Sequence, residues 1–321
     1  EPSGLNSKQS DDFFAYPEPQ DVESVQLAVV ARVSRNVLRE ERAYHTWQRL
    51  AKADPDCEHT GIPLERMRFP SQDGQGSISV CIFESPGLNY LSKFIDYGPG
   101  RLGLRGSDLS AYRDTSFVPE PMPLQAFLDF AIGAAECIEL LHSLQIVHGE
   151  IRADAFHMNV QTGKVTLINL GTGRLKSFEH GFSSSGWERM SNEVGAMAKL
   201  SFMSPEQTGR MPFEPDSRTD IFSLGVVLWT ILSRKPAFEG DTPMEVIQAV
   251  LGRRLPSVSD VRFDIPDVVG RIINKATAKR ISERYHSVSG LRYDLMEVRR
   301  LVSSGDSLEY CSLDLGTKDI S

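Results

Sequence analysis

"VHGEIRADAFHMNV", residues 147–160, decides the reading of this chain, together with "LINLG" at 167–171. A short run carrying His148 and Glu150 stands between two apolar patterns. Before it, "PLQAFLDFAIGAAECIELLHSL" (123–144) places Leu124, Leu128, Ala131, Ala135, Ile138 and Leu141 on one helical face, and Pro123 suits a helix start. After it, "KVTLINL" (164–170) reads as a short strand. The polar residues between them are the candidates for chemistry.

Working outward, residues 1–20 are polar and proline-rich without periodicity, and are expected to be a flexible arm. "VQLAVVARV" (25–33) and "SISVCIF" (77–83) read as strands around a helix over 36–53, so 21–95 is a small mixed unit. Residues 98–122 are rich in Gly and Pro and read as an irregular loop. Beyond them the chain is mainly helical. "TDIFSLGVVLWTILS" (219–233) is apolar nearly all round and predicts a core helix, while 265–278 and 287–302 are amphipathic. Periodicity ends at the tail, 304–321, which is expected to be a linker leading to a downstream domain.

Among 321 residues, 40% are hydrophobic and 24% charged, ordinary values for a globular protein. The net charge of −8 argues against a nucleic-acid partner, which needs a basic face. Four cysteines, Cys57, Cys81, Cys137 and Cys311, form no C-x-x-C pair, which speaks against zinc and dithiol chemistry. The longest apolar run, 221–232, is shorter than the ~20 residues needed to span a bilayer. No signal peptide opens the chain, and the first residue is Glu1, so a fragment of a longer cytoplasmic protein is expected.

Several motifs stand in order. The 147–160 stretch and "LINLG" are followed by "SFMSPEQTG" (201–209), "DSRTDIFSLGVVLWTILSRKPAFEG" (216–240) and "ERYHSVSGL" (283–291). Their order and spacing resemble a eukaryotic protein kinase over residues 21–303: a catalytic loop, a metal loop, the end of an activation segment, a buried helix and a late arginine. The resemblance implies an α+β, two-lobed kinase-like fold, with a small β-rich N-lobe over 21–95 and a larger helical C-lobe over 96–303. More narrowly, "SPEQTGR", "PAFEGDTP" and "LGTKDIS" resemble the kinase-like domain of fungal hybrid histidine kinases. There it precedes ATPase-like, GAF, histidine kinase core and receiver modules, and such domains of the same chain are the expected partners.

In this family phosphoryl transfer needs a Gly-rich loop, a Lys–Glu pair, a catalytic Asp, and an Asn and Asp on magnesium. Residues 1–24 hold one glycine, Gly4, and no Gly-rich loop. By the resemblance, Arg32 replaces the lysine, with a larger planar head. Ala43 falls near the partner position, beside Glu40 and Glu41. Gly149 replaces the loop arginine and Glu150 the catalytic aspartate, and Glu150 stands at a degenerate base position. Ala155 replaces the metal-binding asparagine and has no ligand atom. Asn169 replaces the metal-loop aspartate with a neutral amide, a weaker ligand for a hard cation. Asn159 lies four residues too late to substitute and reads as a turn residue. The hinge "IFESPG" (82–87) would present backbone groups of Glu84 and Ser85 to a nucleotide, with Phe83 as a bulky gate.

The fold's supports are complete by the same reading. Glu206 and Arg284 form a buried pair, Asp220 bonds the backbone around His148, and His148 and Leu170 fill an apolar column. Ser183, Ser184, Ser185 and Ser191 read as loop residues, and Met190, Met197, Met203 and Met211 as flexible packing. His142, His148 and His157 make no zinc pattern, and no metal site is expected. The resulting expectation is a pseudokinase, regulating a histidine kinase phosphorelay and binding ATP without magnesium if it binds it at all. Two alternatives stay open: an active Ser/Thr kinase with atypical residues, and an interaction module that binds no nucleotide.

Overall fold

The structure is a computed structural model and describes residues 10–15, 29–34, 37–70, 77–84, 86, 89–94, 120–168, 170, 200–305 and 313–319. Its chain makes a small sheet with one helix, then a larger helical body. The sheet holds β1 (Ser10–Ala15), β2 (Val29–Ser34), β3 (Pro63–Pro70) and β4 (Ser77–Glu84), antiparallel in the order β1-β2-β4-β3. Helix α1 (Val37–Ala53) packs on β4. Along β4, Ser79, Cys81 and Phe83 are buried in alternation, because successive strand side chains face opposite sides. Phe83 meets Trp47 of α1 edge-on, with ring centroids 5.2 Å apart.

Two strands depart from the sequence reading. β1 lies inside the stretch expected to be a flexible arm. Its "SDDFFA" carries two residues of high strand propensity, and all six residues pair with β2, from Ser10 opposite Ser34 to Ala15 opposite Val29. β3 was not expected: Arg66 and Arg68 hide its apolar alternation, and Pro63 and Pro70 bracket it. These features suit an edge strand.

The second body is built on α2 (Leu124–Ser143), which packs along α7 (Val288–Ser304). Strands β5 (Phe156–Met158) and β6 (Val165–Leu167) form a two-stranded sheet beside α2. Helix α3 (Ser217–Ser233) runs through the core, with every residue from Thr219 to Ser233 buried. Around it lie α4 (Pro243–Gly252), α5 (Val258–Val261) and α6 (Asp267–Ala276). Gly225 lets α3 approach α6, since a Cβ there would stand 2.9 Å from the Cβ of Ala276. No helix among the described residues is long and apolar enough to cross a membrane. This two-lobed arrangement, with a β-rich smaller part and a helical larger one, is the kinase-like fold.

The lobes are stitched by backbone. Asp54, at the end of α1, accepts hydrogen bonds from the amides of Glu58, His59 and Thr60 at 2.9, 2.8 and 3.2 Å. The loop so fixed pairs with β6: Gly61 N–H donates to Leu167 O at 2.9 Å, and Leu167 N–H to His59 O at 2.8 Å. Near the hinge, the Asn159 side-chain amide donates to Pro86 O at 2.9 Å, and Asn89 Oδ1 accepts from Met158 N–H at 3.1 Å.

The tail also departs from expectation. Within 304–321, residues 313–319 lie against α6 and α7: Leu313 and Leu315 pack on the core, and Arg271 and Lys275 donate to their carbonyls. Lack of periodicity concealed this, because the segment docks mainly through backbone groups and one carboxylate.

Candidate functional site

The loop after α2 is held from below by Asp220, in the first turns of α3. This fully buried carboxylate accepts from the backbone N–H of His148 and of Gly149, both at 2.8 Å, and meets His142 Nε2 at 2.9 Å. Burial pushes the Asp220 carboxyl up, but the hydrogen bond to His142, the electrostatic pull of that ring and the Gly149 amide outweigh it and hold the group below the ordinary aspartate value. His148 is buried, and its Nδ1 accepts the Glu150 N–H at 3.2 Å. Sequence reasoning left His142 without a role; its signal was the position six residues before His148 on the polar edge of α2.

Gly149 has φ +74°, in the left-handed region that glycine occupies at no steric cost. Its carbonyl accepts from Gln207 Nε2 at 2.7 Å. Gln207 belongs to the 3-10 turn Pro205–Thr208, where its Oε1 accepts from Ser204 N–H at 2.9 Å. The loop is therefore tied to both α3 and the 204–208 turn.

The remaining loop residues are arranged differently. Glu150 is exposed. Arg152 forms a two-pronged ion pair with Asp154, Nε to Oδ1 at 2.9 Å and Nη2 to Oδ2 at 2.7 Å, with both side chains nearly buried. Burial works against the Arg152 charge, but Asp154 and Glu150 outweigh it and hold the guanidinium above its ordinary pKa. Neither Arg152 nor Asp154 was singled out in the sequence; an Arg-x-Asp spacing suits such a fork but is too common to stand out. Ala155 is buried, and its carbonyl accepts Ile168 N–H at 2.9 Å. Among the described residues no three His, Cys, Asp or Glu side chains are grouped to hold a metal.

Asn169 and Ser85 lie outside the described residues, as do Ser183, Ser184, Ser185, Ser191, Met190 and Met197. Leu170 is buried. Arg32 is placed by its backbone, in register opposite Cys81 of β4 and Asp12 of β1. Glu84 ends β4, exposed. On α1, Ala43 packs against the core, and Glu41 pairs with Arg68 of β3, which lowers its pKa through the hydrogen bond and then the charge. Asn159 caps its own turn, accepting from the amides of Gln161 and Thr162.

The strongest electrostatic element is Glu206 with Arg284. Two parallel bonds join them, Nη1 to Oε1 at 2.6 Å and Nη2 to Oε2 at 2.8 Å, with both side chains out of solvent. Thr219 Oγ1 adds a third bond to Glu206 at 2.9 Å, and Arg284 Nε donates to Ala278 O at 2.7 Å. The guanidinium also lies over the Phe222 ring, 4.9 Å from its centroid. Burial pushes Glu206 up, but the Arg284 hydrogen bond and charge outweigh this and hold it low. Beside this cluster Lys279 donates to Val250 O at 2.6 Å, over Phe238, and burial followed by the Arg284 charge lowers its pKa to about 7.

Helical C-lobe, buried ion pair and carboxylate-held loop define a class of protein, and the chain belongs to the protein kinase domain family, whose profile matches residues 119–290. Within it, the chain is similar to the peroxide stress-activated histidine kinases mak3 and mak2 of Schizosaccharomyces pombe. It is 32% identical to mak3 over 83% of its own length and 34% identical to mak2 over 71%. It spans about a tenth of those proteins, 10% and 9% of their lengths. In fold it is similar to the crystal structure of a double mutant of the Mycobacterium tuberculosis PknI kinase domain, with TM-score 0.54 and 12% identity over 93% of this chain and 92% of that one.

Proposed function

We propose that this domain is a catalytically impaired kinase-family member that acts by binding, as a regulatory or scaffold module of a hybrid histidine kinase in phosphorelay signalling. The observation that carries this reading is the internal satisfaction of the catalytic-loop position. The loop's cation, Arg152, is held on both prongs by Asp154. Ala155 offers no side-chain ligand, and its carbonyl is already bonded to Ile168. Ala155 thus supplies no side-chain oxygen where magnesium would need one, which supports weak metal binding at this position. The similarity to the histidine kinases mak2 and mak3 supports a place beside other domains of a longer chain; the setting proposed is cytoplasmic, with ATPase-like, GAF and histidine kinase core modules as partners.

ATP binding, if present, is proposed to be independent of magnesium. One observation favours the stricter reading of an interaction module that binds no nucleotide. Proline has no N–H, and Pro86 in the hinge also has its carbonyl occupied by Asn159, so part of the backbone available to a purine is spent. Thermal unfolding of the chain with ATP, with and without magnesium or manganese, separates the cases. Metal-independent stabilisation supports a nucleotide-binding pseudokinase, and no shift supports the interaction module. Stabilisation that requires the metal overturns both and points to an active kinase using Glu150.

A further inference from the structure

We propose that α6 and the first turn of α7 form a peptide-recognition site, filled in cis by Leu313–Asp319, that selects the pattern L-x-L-G-x-x-D and acts as a releasable clip. This inference goes beyond the function proposed above and does not depend on it. The segment is read at each step. Arg271 donates to Leu313 O at 3.3 Å and Lys275 to Leu315 O at 2.8 Å. Gly316 takes φ +84°, and its N–H donates to Asp294 Oδ2 at 2.9 Å, on the oxygen that also accepts from Tyr285. Three residues later Asp319 accepts from His286 N–H at 2.6 Å, Ser287 N–H at 2.9 Å and Ser287 Oγ at 3.0 Å. These amides stand at the start of a 17-residue helix, where a carboxylate is favoured by free donors and by the helix dipole.

The receiving surface is shaped for this ligand. Gly290 lies under Asp319, and a Cβ there would stand 2.5 Å from Oδ1 and 2.6 Å from the Asp319 Cβ. Glycine in the first turn of a helix weakens the helix itself, so its presence here serves the carboxylate. The chemistry selected is an extended peptide with a left-handed glycine and an acidic side chain three residues on.

Gly290→Ala in the full chain tests the clip, because alanine strengthens α7 while removing the room for Asp319. Hydrogen exchange at the amides of His286, Ser287 and Gly316 is expected to quicken at least tenfold, with Arg284 unchanged. Unchanged protection at those three amides overturns the proposal. In a second measurement, a labelled peptide of residues 311–321 is titrated into the Asp319→Ala chain and into the Asp319→Ala, Gly290→Ala chain. Binding at least tenfold tighter to the first supports selective recognition. Equal binding to both, or none to either, overturns it.

Discussion

The 204–220 segment and the 149–155 loop meet at Gly149, whose carbonyl accepts from Gln207 and whose N–H donates to Asp220, yet they are built on opposite plans. In the first, the charged groups Glu206 and Asp220 are buried; Glu206 takes three hydrogen bonds from Arg284 and Thr219, and Asp220 three contacts from His142, His148 and Gly149. In the second, Glu150 is exposed, Ala155 has no functional group, and Arg152 and Asp154 satisfy each other two residues apart. Multi-partner buried charges hold elements together, and losing one leaves the others unpaired. A pair two residues apart in one loop, helped by the nearby Glu150 charge, holds little beyond that loop. The fold thus stands on groups separate from those that would perform transfer, and the second set can change without cost to the first.

Substitutions should sort along this divide. The largest effect is expected for Arg284→Met, which strands Glu206 in the core and costs roughly 3–5 kcal/mol, read as a steep fall in denaturant midpoint. A loss under 1 kcal/mol would erase the contrast. Next comes Asp220→Asn, which keeps the shape but replaces a charged acceptor of two backbone amides; it is expected to cost about 2 kcal/mol and to raise amide exchange at His148 and Gly149. The smallest is Glu150→Gln, an exposed position whose charge only adds to the hold of Asp154 on Arg152, with a change of about 0.5 kcal/mol by the same denaturant measurement.

A pH series sharpens the comparison. Lys279 has its pKa lowered to about 7 in the fold, against about 10.4 for a free lysine. Between these values the unfolded chain binds the extra proton, so stability should rise with pH across that window. Lys279→Met should flatten the rise, and equal slopes for the two chains would count against burial as the cause.

How far the sequence carried differs along the chain for physical reasons. Apolar runs such as 123–144 and 219–233 declare themselves because burial demands them, and they lie over α2 and α3. β3 did not, since an edge strand needs only one buried side and carries arginines. The 313–319 segment is held by carbonyls, one amide and one carboxylate, none of which leaves a periodic trace. At the site, Glu150 and Ala155 were visible as letters. The Arg152–Asp154 fork was not, because an Arg-x-Asp spacing is too common to stand out, nor was the Gln207 bond, because it depends on how the loop turns at Gly149.

The ladder between Gly61, His59 and Leu167 gives the lobes a seam. With the Asn159–Pro86 and Asn89–Met158 bonds near β4, it joins the two lobes at two separate places along their seam. Helix α1 starts its 17 residues, about 25 Å of length, at Val37 and ends beside the ladder. One helix thus carries the Glu41 pair with β3 in its early turns and the seam with the larger lobe at its end.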